Sequence, residues 1–211
     1  MEESELVAKY PTCFHLASAD AWESVQQLGL LSTRALLDVW EVPSELKTRL
    51  ITQLRKGPEH VAHPVHGSAD IRDQHPMNEA MLRRSLADMT VQDWLTQLNS
   101  HVFFAPTRRR LESLYAAYHA APRLVLTIST AQLVAEHGDR IRLSHLNSGA
   151  VRHVNHTRGS DTFQPIQRFA HRKADWVAEI AVRDRVPITP GLVLGAEIWH
   201  PDGHHEPVLG N

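Results

Sequence analysis

Four groups of side chains in this sequence could perform chemistry: a carboxylate in an apolar strand, a histidine cluster, one cysteine and a basic segment. The carboxylate is Glu179, within the apolar run at residues 177–182. An unpaired carboxylate is costly to bury in a core, whereas one that faces a cleft is a candidate catalytic or sugar-binding group. A strand with one solvated face would also tolerate it. Glu197 repeats the same Ala-Glu-Ile tripeptide, so the pattern alone does not choose between the two.

The histidine content raises the question of a metal site, since 15 of the 211 residues are histidine. His60, His63 and His66 follow one another at three-residue spacing, with His75 beyond them, and imidazole is a common zinc ligand. Residues 57–76 also contain proline and glycine, so no regular helix is expected to align these rings. No carboxylate lies in register as in His-Glu-x-x-His. We therefore expect a solvated loop and no bound metal, with a His-metal-dependent hydrolase as an alternative.

Cys13 is the only cysteine, which excludes an intrachain disulfide and cysteine-rich zinc sites. It lies in an apolar run two residues before His15. A reactive thiolate needs an electropositive neighbour, so a buried, inert thiol is the expected state. The sequence has no Gly-x-Ser-x-Gly elbow, Walker loop or Gly-x-Gly-x-x-Gly turn, and it therefore lacks the signatures of serine hydrolases and of the standard nucleotide cradles.

Composition and length indicate one globular domain over residues 1–211. The chain is 42% hydrophobic and 22% charged, with a net charge of −2. That balance argues against a strongly cationic nucleic-acid coat protein but allows a local basic groove. The sequence shows no signal-peptide pattern and no apolar run of about 18 residues. We therefore expect a cytoplasmic protein without membrane contact.

The elements that position these residues follow from hydrophobic periodicity. Asp20 and Glu23 have the spacing of a capping box, and the tail at 201–211 is expected to fray. Strands are expected at residues 11–16, 102–105, 123–129, 141–144, 176–182 and 192–199. Helices are expected at residues 17–29, 32–37, 43–55, 78–86, 90–98 and 130–137, and after Thr107. This order favours an α+β fold over a doubly wound parallel sheet.

Three segments carry a family resemblance, in the same order along the chain. The first is Phe-His-Leu-Ala at 14–17, which precedes a helix that ends in Gly-Leu-Leu at 29–31. The second is His-Val-Phe-Phe-Ala-Pro at 101–106, which precedes a further helix. The third is Ala-Glu-Ile-Ala-Val at 178–182, which is followed by Val-Pro at 186–187. Together they resemble the DarT-like ADP-ribosyltransferases of the PARP and diphtheria-toxin superfamily. The chain also resembles an uncharacterised bacterial family with the same landmarks.

The resemblance implies two split antiparallel β-sheets around an NAD cleft, with a helical insertion at about 38–98 and an acceptor-recognition loop at about 147–175. It implies a mono-ADP-ribosyltransferase that moves ADP-ribose from NAD to a target, with nucleic acid (DNA or RNA) favoured over protein. Such an enzyme would suit a toxin or phage-defence effector that an antitoxin holds in check. The alternative is a catalytically inactive module of the same fold that binds nucleotides or nucleic acid.

The resemblance also assigns roles around the nicotinamide and the two riboses. Glu179 would be the catalytic residue: it would bond the nicotinamide ribose and stabilise an oxocarbenium-like transition state. His15 would hydrogen-bond the ribose on the adenosine side. Tyr115 would stack on the nicotinamide. Glu197 would then be an ordinary strand residue.

Further NAD contacts follow from the same likeness. Phe103, where relatives often carry tyrosine, and Phe104 would line the cofactor pocket. Arg72, within the insertion, would hold the NAD phosphates. The arginines at 108–110 are rivals for that task, because a helix N-terminus favours anions, although a solvated charge run is an equally simple interpretation.

The resemblance places acceptor recognition in the segment before the Glu179 strand, which is basic and aperiodic. Phe163 and Phe169 would offer stacking surfaces for an unpaired base. A basic loop without an acceptor role is the competing interpretation. The residues expected to bind the acceptor are Arg152, Arg158, Phe163 and Arg168.

Overall fold

The computed structural model describes residues 1–72, 74, 76–117, 121–151, 156–170 and 177–209, and in these ranges it contains eight α-helices and four small antiparallel sheets. The mixed α+β class expected from the sequence is confirmed. The helices are α1 Glu3–Lys9, α2 Trp22–Leu28, α3 Thr33–Val39, α4 Ser44–Thr52, α5 Glu79–Ser85, α6 Val91–Asn99, α7 Arg108–Ala116 and α8 Thr130–His137. The strands are β1 Thr12–Ser18, β2 Leu30–Leu31, β3 Glu59–His63, β4 Gly67–Ile71, β5 His101–Phe104, β6 Arg123–Ser129, β7 Ile141–Ser144, β8 Glu179–Arg183, β9 Arg185–Val186, β10 Val193–Trp199 and β11 His205–Pro207.

Two of the sheets form the framework of the molecule. The larger has the order β1-β6-β10-β11 and the smaller the order β5-β8-β7, with antiparallel neighbours throughout. β5 remains paired with β8 up to Phe104 and Ile180. The next residue, Ala105, instead exchanges backbone hydrogen bonds of 2.9 and 2.8 Å with Phe14 of β1. The two sheets therefore touch at Ala105 and diverge from it.

The main apolar core lies between these two sheets. Leu124, Leu126 and Ile128 of β6 point into it at every second position, the period that a strand requires. Ile180 of β8 joins the same core, whereas the neighbouring Ala181 packs in a second cluster with residues of α6. β8 is covered on both faces, which explains its almost continuous apolar sequence. No helix in the described ranges is long and apolar enough to cross a membrane.

The insertion contains a β-hairpin where the sequence predicted an irregular loop. β3 and β4 pair from Glu59 opposite Ile71 to His63 opposite Gly67. Gly67 has φ 71°, a left-handed conformation that suits glycine at a tight turn. The indole of Trp40 donates a hydrogen bond of 3.1 Å to the Gly67 carbonyl and ties the turn to the end of α3. The predicted helical insertion at 38–98 is therefore helices plus a hairpin.

Two further expectations about the elements were wrong, and one helix was not predicted. The Asp20–Glu23 capping box does not form, because α2 begins at Trp22 behind Ala21 without a side-chain cap. The helix α1 was not predicted, since Leu6 is its one buried residue and leaves no visible apolar stripe. The tail does not fray throughout, because β11 pairs with β10. Trp176, the expected start of the strand now called β8, lies outside the described residues.

Candidate functional site

Glu179 is the first residue of β8 and lies beside the point where the two sheets diverge. Its Oε1 accepts a hydrogen bond of 3.1 Å from the backbone N–H of Ser148. Its Oε2 is buried and has no hydrogen-bond partner among the described residues. One carboxylate oxygen is thus held in place, and the other is enclosed and leaves a hydrogen-bonding position unfilled.

The environment of Glu179 makes its charge sensitive to pH. Burial raises its pKa from 4.5 to about 7, while the hydrogen bonds from Ser148 and the positive charges of Arg110 and Arg158 oppose the rise. A carboxyl group with a pKa near neutrality is suited to proton transfer or to electrostatic stabilisation of a developing positive charge. By contrast, Glu197 on β10 is 44% exposed and accepts a hydrogen bond of 2.9 Å from the indole of Trp199.

The helix α7 connects Glu179 to a cavity. Thr107 caps the helix by accepting the backbone N–H of Arg110 at 3.3 Å, and the Arg110 side chain is near enough to Glu179 to influence its pKa. Leu111 packs against Phe14 of β1. About one turn after Arg110, Leu114 lines the cavity. The helix therefore carries, near its N-terminal end, an arginine whose charge acts on Glu179 and, one turn later, a residue of the cavity wall.

This cavity has a volume of about 290 Å³ and is lined by three arginines, Arg55, Arg72 and Arg123. Arg55 is largely committed to the fold: its Nε donates to the Arg72 carbonyl at 2.8 Å and its Nη2 to Asn99 at 3.1 Å. Ser18, at the end of β1, lines the same cavity. At about 3.3 Å per residue, the strand extends about 13 Å from Phe14 to Ser18. That length is comparable to an extended dinucleotide.

His15 lies on the other face of β1, because successive strand residues alternate and its neighbour Phe14 packs under α7. It lines an adjoining cavity of about 250 Å³ together with residues of α2 and of the β3–β4 hairpin. Its Nδ1 is 2.9 Å from the Phe103 carbonyl. Since a carbonyl only accepts, Nδ1 carries the proton, and burial lowers the pKa of the ring and keeps it neutral. The Nε2 atom is then an acceptor. The structure thus brings His15 to the same sheet junction as Glu179, but on the opposite face.

The two cavities adjoin one another and share five lining residues. The shared residues are Ala17, Ser18, Leu31, Leu36 and Asp70. Arg72, which was expected at the cofactor phosphates, lines the first cavity. Glu179 lines neither cavity.

The aromatic residues that the sequence analysis expected to contact the cofactor pack mainly against other side chains of the protein. Phe104 is 1% exposed and belongs to the main core, so the expectation that its ring contacts a ligand is wrong. The ring of Phe103 packs 5.9 Å from that of Phe163, and only its carbonyl serves His15. Tyr115 is half-buried, meets the Trp199 ring edge-on at 5.3 Å and donates its hydroxyl to the Trp199 carbonyl at 3.2 Å. None of the three lines either cavity.

The predicted acceptor-binding residues are also mostly internal, which corrects the expectation of an exposed basic and aromatic surface. Phe163 is 5% exposed and stacks 5.9 Å from Trp94 of α6, and Phe169 is 1% exposed. Arg158 is 2% exposed. These residues anchor a long aperiodic segment to the body of the protein. Arg168 is exposed in a short 3-10 turn, Ile166–Arg168, and Arg152 lies outside the described residues.

The two remaining candidates from the sequence are Cys13 and the histidine cluster of the hairpin. Cys13 is fully buried, and burial raises the pKa of its thiol to about 12, which makes it a poor nucleophile. On the hairpin, His60 Nδ1 lies 2.9 Å from Asp70, and the His63 and His66 rings stack at 4.7 Å. Within the described part of the chain, no three His, Cys, Asp or Glu side chains are arranged to hold a metal ion. His75 falls outside that part.

Sequence reasoning missed two residues of this site, Ser148 and the role of Arg110. Ser148 sits in an Asn-Ser-Gly stretch that reads as an ordinary turn. Arg110 was considered for an anion, yet its charge acts on Glu179. No periodic pattern in the sequence connects either residue with β8.

Fold and site together define an α+β protein in which two antiparallel sheets diverge beside an enclosed glutamate, with two adjoining cavities along β1, one of which is lined by arginines. The chain belongs to the DUF7002 family, a family of unknown function whose model matches residues 11–192. The matched range includes Glu179, Arg110 and the residues of both cavities. No curated protein and no solved structure matches the chain.

Proposed function

We propose that this protein is an NAD-dependent mono-ADP-ribosyltransferase whose diverging sheets are the split sheets of that fold. The observation that supports this proposal most is Glu179, which presents an enclosed, unpartnered Oε2 where the sheets separate. In the transfer reaction, the bond between ribose C1′ and the nicotinamide nitrogen breaks and positive charge develops on the ribose ring. A fixed carboxylate with little access to water stabilises that charge strongly.

The arrangement of the remaining groups is compatible with a bound dinucleotide. Arg72 and Arg123 line the first cavity, and guanidinium groups suit a pyrophosphate. The neutral ring of His15 faces the adjoining cavity, where Nε2 would accept a hydrogen bond from a ribose hydroxyl. In this proposal NAD passes along α7, with its nicotinamide end at Glu179 and its phosphates at the arginines.

The proposed acceptor is nucleic acid, DNA or RNA, and this part rests on the sequence resemblance. Phe163 and Arg158 are buried, so they do not supply the stacking and ionic contacts first expected of them. Arg168 is exposed and is the residue we assign to acceptor contact. A toxin or phage-defence role, with an antitoxin as partner, belongs to the same proposal.

The test is transfer from NAD labelled in its adenylate part. The protein is incubated with separate pools of DNA, RNA and protein, and both nicotinamide release and label on each pool are measured. We expect label on a nucleic-acid pool with the wild-type protein, none with Glu179→Ala, and normal transfer with the matched variant Glu197→Ala. Transfer by Glu179→Ala would overturn the assignment.

A second candidate function is a nucleotide-binding module without catalysis, which the arginine-lined cavity favours on its own. A thermal melt with NAD separates the two proposals. Stabilisation by NAD without any release of nicotinamide would support the binding module and contradict the transferase. Release of nicotinamide without label on any acceptor would indicate that water is the acceptor.

A further inference from the structure

A short turn at residues 147–150 holds the catalytic carboxylate proposed above, and a buried arginine holds that turn. Within it, Asn147 Oδ1 accepts the backbone N–H of Ala150 at 3.1 Å, and Ser148, which is 2% exposed, donates its backbone N–H to Glu179 Oε1 at 3.1 Å. The position of Oε1, and with it the direction of Oε2, therefore depends on where this turn lies.

Arg158 bonds both ends of the turn. Its Nη2 donates to the Ala150 carbonyl at 2.9 Å and to the Asn147 carbonyl at 3.4 Å. Its Nη1 donates to the His156 carbonyl at 3.1 Å. The planar guanidinium, with donors in a fixed fork, is suited to hold several carbonyls at once.

The backbone of Arg158 is itself fixed by the insertion. Its N–H donates to the Ser85 carbonyl at 2.8 Å, and its carbonyl accepts the N–H of Ala87 at 2.9 Å. These two hydrogen bonds form a parallel bridge between Arg158 and Leu86. At the next residue, Gly159, an added Cβ would clash with the Asp88 carboxylate. The two backbone hydrogen bonds leave Arg158 little freedom to move relative to the end of α5.

The cost of burying Arg158 also indicates a specific task. The side chain is 2% exposed, its hydrogen-bond acceptors are neutral carbonyls, and Nε has no partner among the described residues. A buried guanidinium without a paired carboxylate is expensive. The charged groups that face Glu179 are Arg158 and, from α7, Arg110. Arg158 thus combines a charge near the carboxylate with direct control of the turn that orients it.

We propose that Arg158 is a positioning residue for Glu179: it fixes the 147–150 turn, so that Ser148 holds Oε1 and Oε2 stays directed to the substrate ribose. The inference rests on the proposed function for its catalytic consequence. Its structural part, the link from Arg158 through Ser148 to the carboxylate, can be measured without NAD.

The decisive variant is Arg158→Lys, because lysine keeps the positive charge but a single ammonium cannot hold the three carbonyls in one plane. Arg158→Met removes the charge as well. The matched control is Arg83→Lys, at an arginine that is 71% exposed and paired with Glu79 on the surface. Urea unfolding identifies the variants that remain folded, and if Arg158→Met unfolds, the comparison rests on Arg158→Lys.

The first readout is the carboxyl titration of Glu179, followed by NMR on protein with 13C-labelled glutamate and assigned by comparison with Glu179→Gln. We expect Arg158→Lys to raise the pKa of Glu179, because the hydrogen bond from Ser148 weakens while the charge stays. The second readout is nicotinamide release. A carboxylate displaced by about 1 Å costs about 100-fold in rate, so kcat should fall by about that factor while KM for NAD stays unchanged.

The third readout is a double-mutant cycle with Asn147→Ala, which removes the side-chain oxygen that accepts the Ala150 N–H within the turn. If Arg158 acts through the turn, the losses in kcat of the two variants are not multiplicative. An unchanged Glu179 pKa in folded Arg158→Lys would refute the inference, as would losses that simply multiply. If the wild-type protein releases no nicotinamide, the proposed function fails, whereas the carboxyl titration still decides whether Arg158 positions Glu179.

Discussion

Replacing Glu179 with glutamine should stabilise the protein at alkaline pH while it abolishes nicotinamide release. Glutamine has nearly the same shape, and its amide oxygen can accept the Ser148 N–H that Oε1 accepts now. The substitution removes the negative charge that burial disfavours. A gain in stability that accompanies a loss of activity is the behaviour expected of a strained functional group.

The magnitude follows from proton linkage. The pKa of Glu179 is about 7 in the folded protein against 4.5 as its ordinary value, so the folded state holds the proton more tightly than the unfolded state. Below about pH 4.5 the carboxyl is protonated in both states and costs nothing. As the pH rises toward 7, the free energy of unfolding falls, and above 7 the penalty is constant. At about 1.4 kcal/mol per pKa unit, the penalty for ionising Glu179 amounts to about 3 kcal/mol. This figure is an upper bound, because Glu179 is half-buried and solvent screens part of its charge.

The assay is urea unfolding from pH 4.5 to 8.5 of the wild type, Glu179→Gln and the surface variant Glu197→Gln. We expect Glu179→Gln to exceed the wild type by up to about 3 kcal/mol at pH 8, or about 6–12 °C in Tm for a chain of this size. At pH 4.5 the difference should be close to zero, and Glu197→Gln should differ little at any pH. A Glu179→Gln variant that is less stable at pH 8, or whose gain does not change with pH, would refute the reasoning.

Three other substitutions test separate parts of the structure. Arg110→Gln should raise the pKa of Glu179 further. The acid limb of the pH profile of kcat, expected near pH 7 in the wild type, should therefore move to higher pH. An acid limb at the same pH in the variant would contradict the proximity of the Arg110 charge to Glu179. Arg72→Gln should raise KM for NAD about tenfold, the loss of one charge-assisted hydrogen bond, as measured by initial rates, and an unchanged KM would remove Arg72 from the phosphate site. Phe163→Ala should cost about 3–5 kcal/mol in urea unfolding, because the ring stacks on Trp94 in the core; a cost below about 1 kcal/mol would show that the ring is not an internal anchor.

The sequence was most informative where periodicity and packing agree. β6 and β10 were predicted within a residue or two of the observed bounds, since alternating aliphatic residues have few other ways to pack. The strand that carries Glu179 was expected from its apolar run, and the structure begins β8 at that residue. The single carboxylate within the run was informative because its charge conflicts with the burial of its neighbours.

Long-range contacts explain what the sequence did not reveal. Phe163 looked like a loop residue, because nothing local shows that α6 supplies Trp94 as its partner. From the sequence, Arg158 was interpreted as a surface charge. Its hydrogen-bond acceptors are backbone carbonyls, and no sequence pattern indicates such contacts. The face on which His15 lies depends on the backbone bridge from Phe14 to Ala105, a pairing between segments far apart in the chain.

The pairing of β5 with β8 has a consequence for biosynthesis. Phe104 pairs with Ile180, so the strand that carries Glu179 can pair with β5 only after the long segment between them has been synthesised. Pairings between distant segments are slow to form, because the intervening chain loses entropy before the contact stabilises anything. A nascent chain that stops before β8 would contain the cavity residues of β1 and the hairpin but not the carboxylate. Under the proposed function, such a nascent chain would lack the group that stabilises the developing charge, because Glu179 is made last among the site residues.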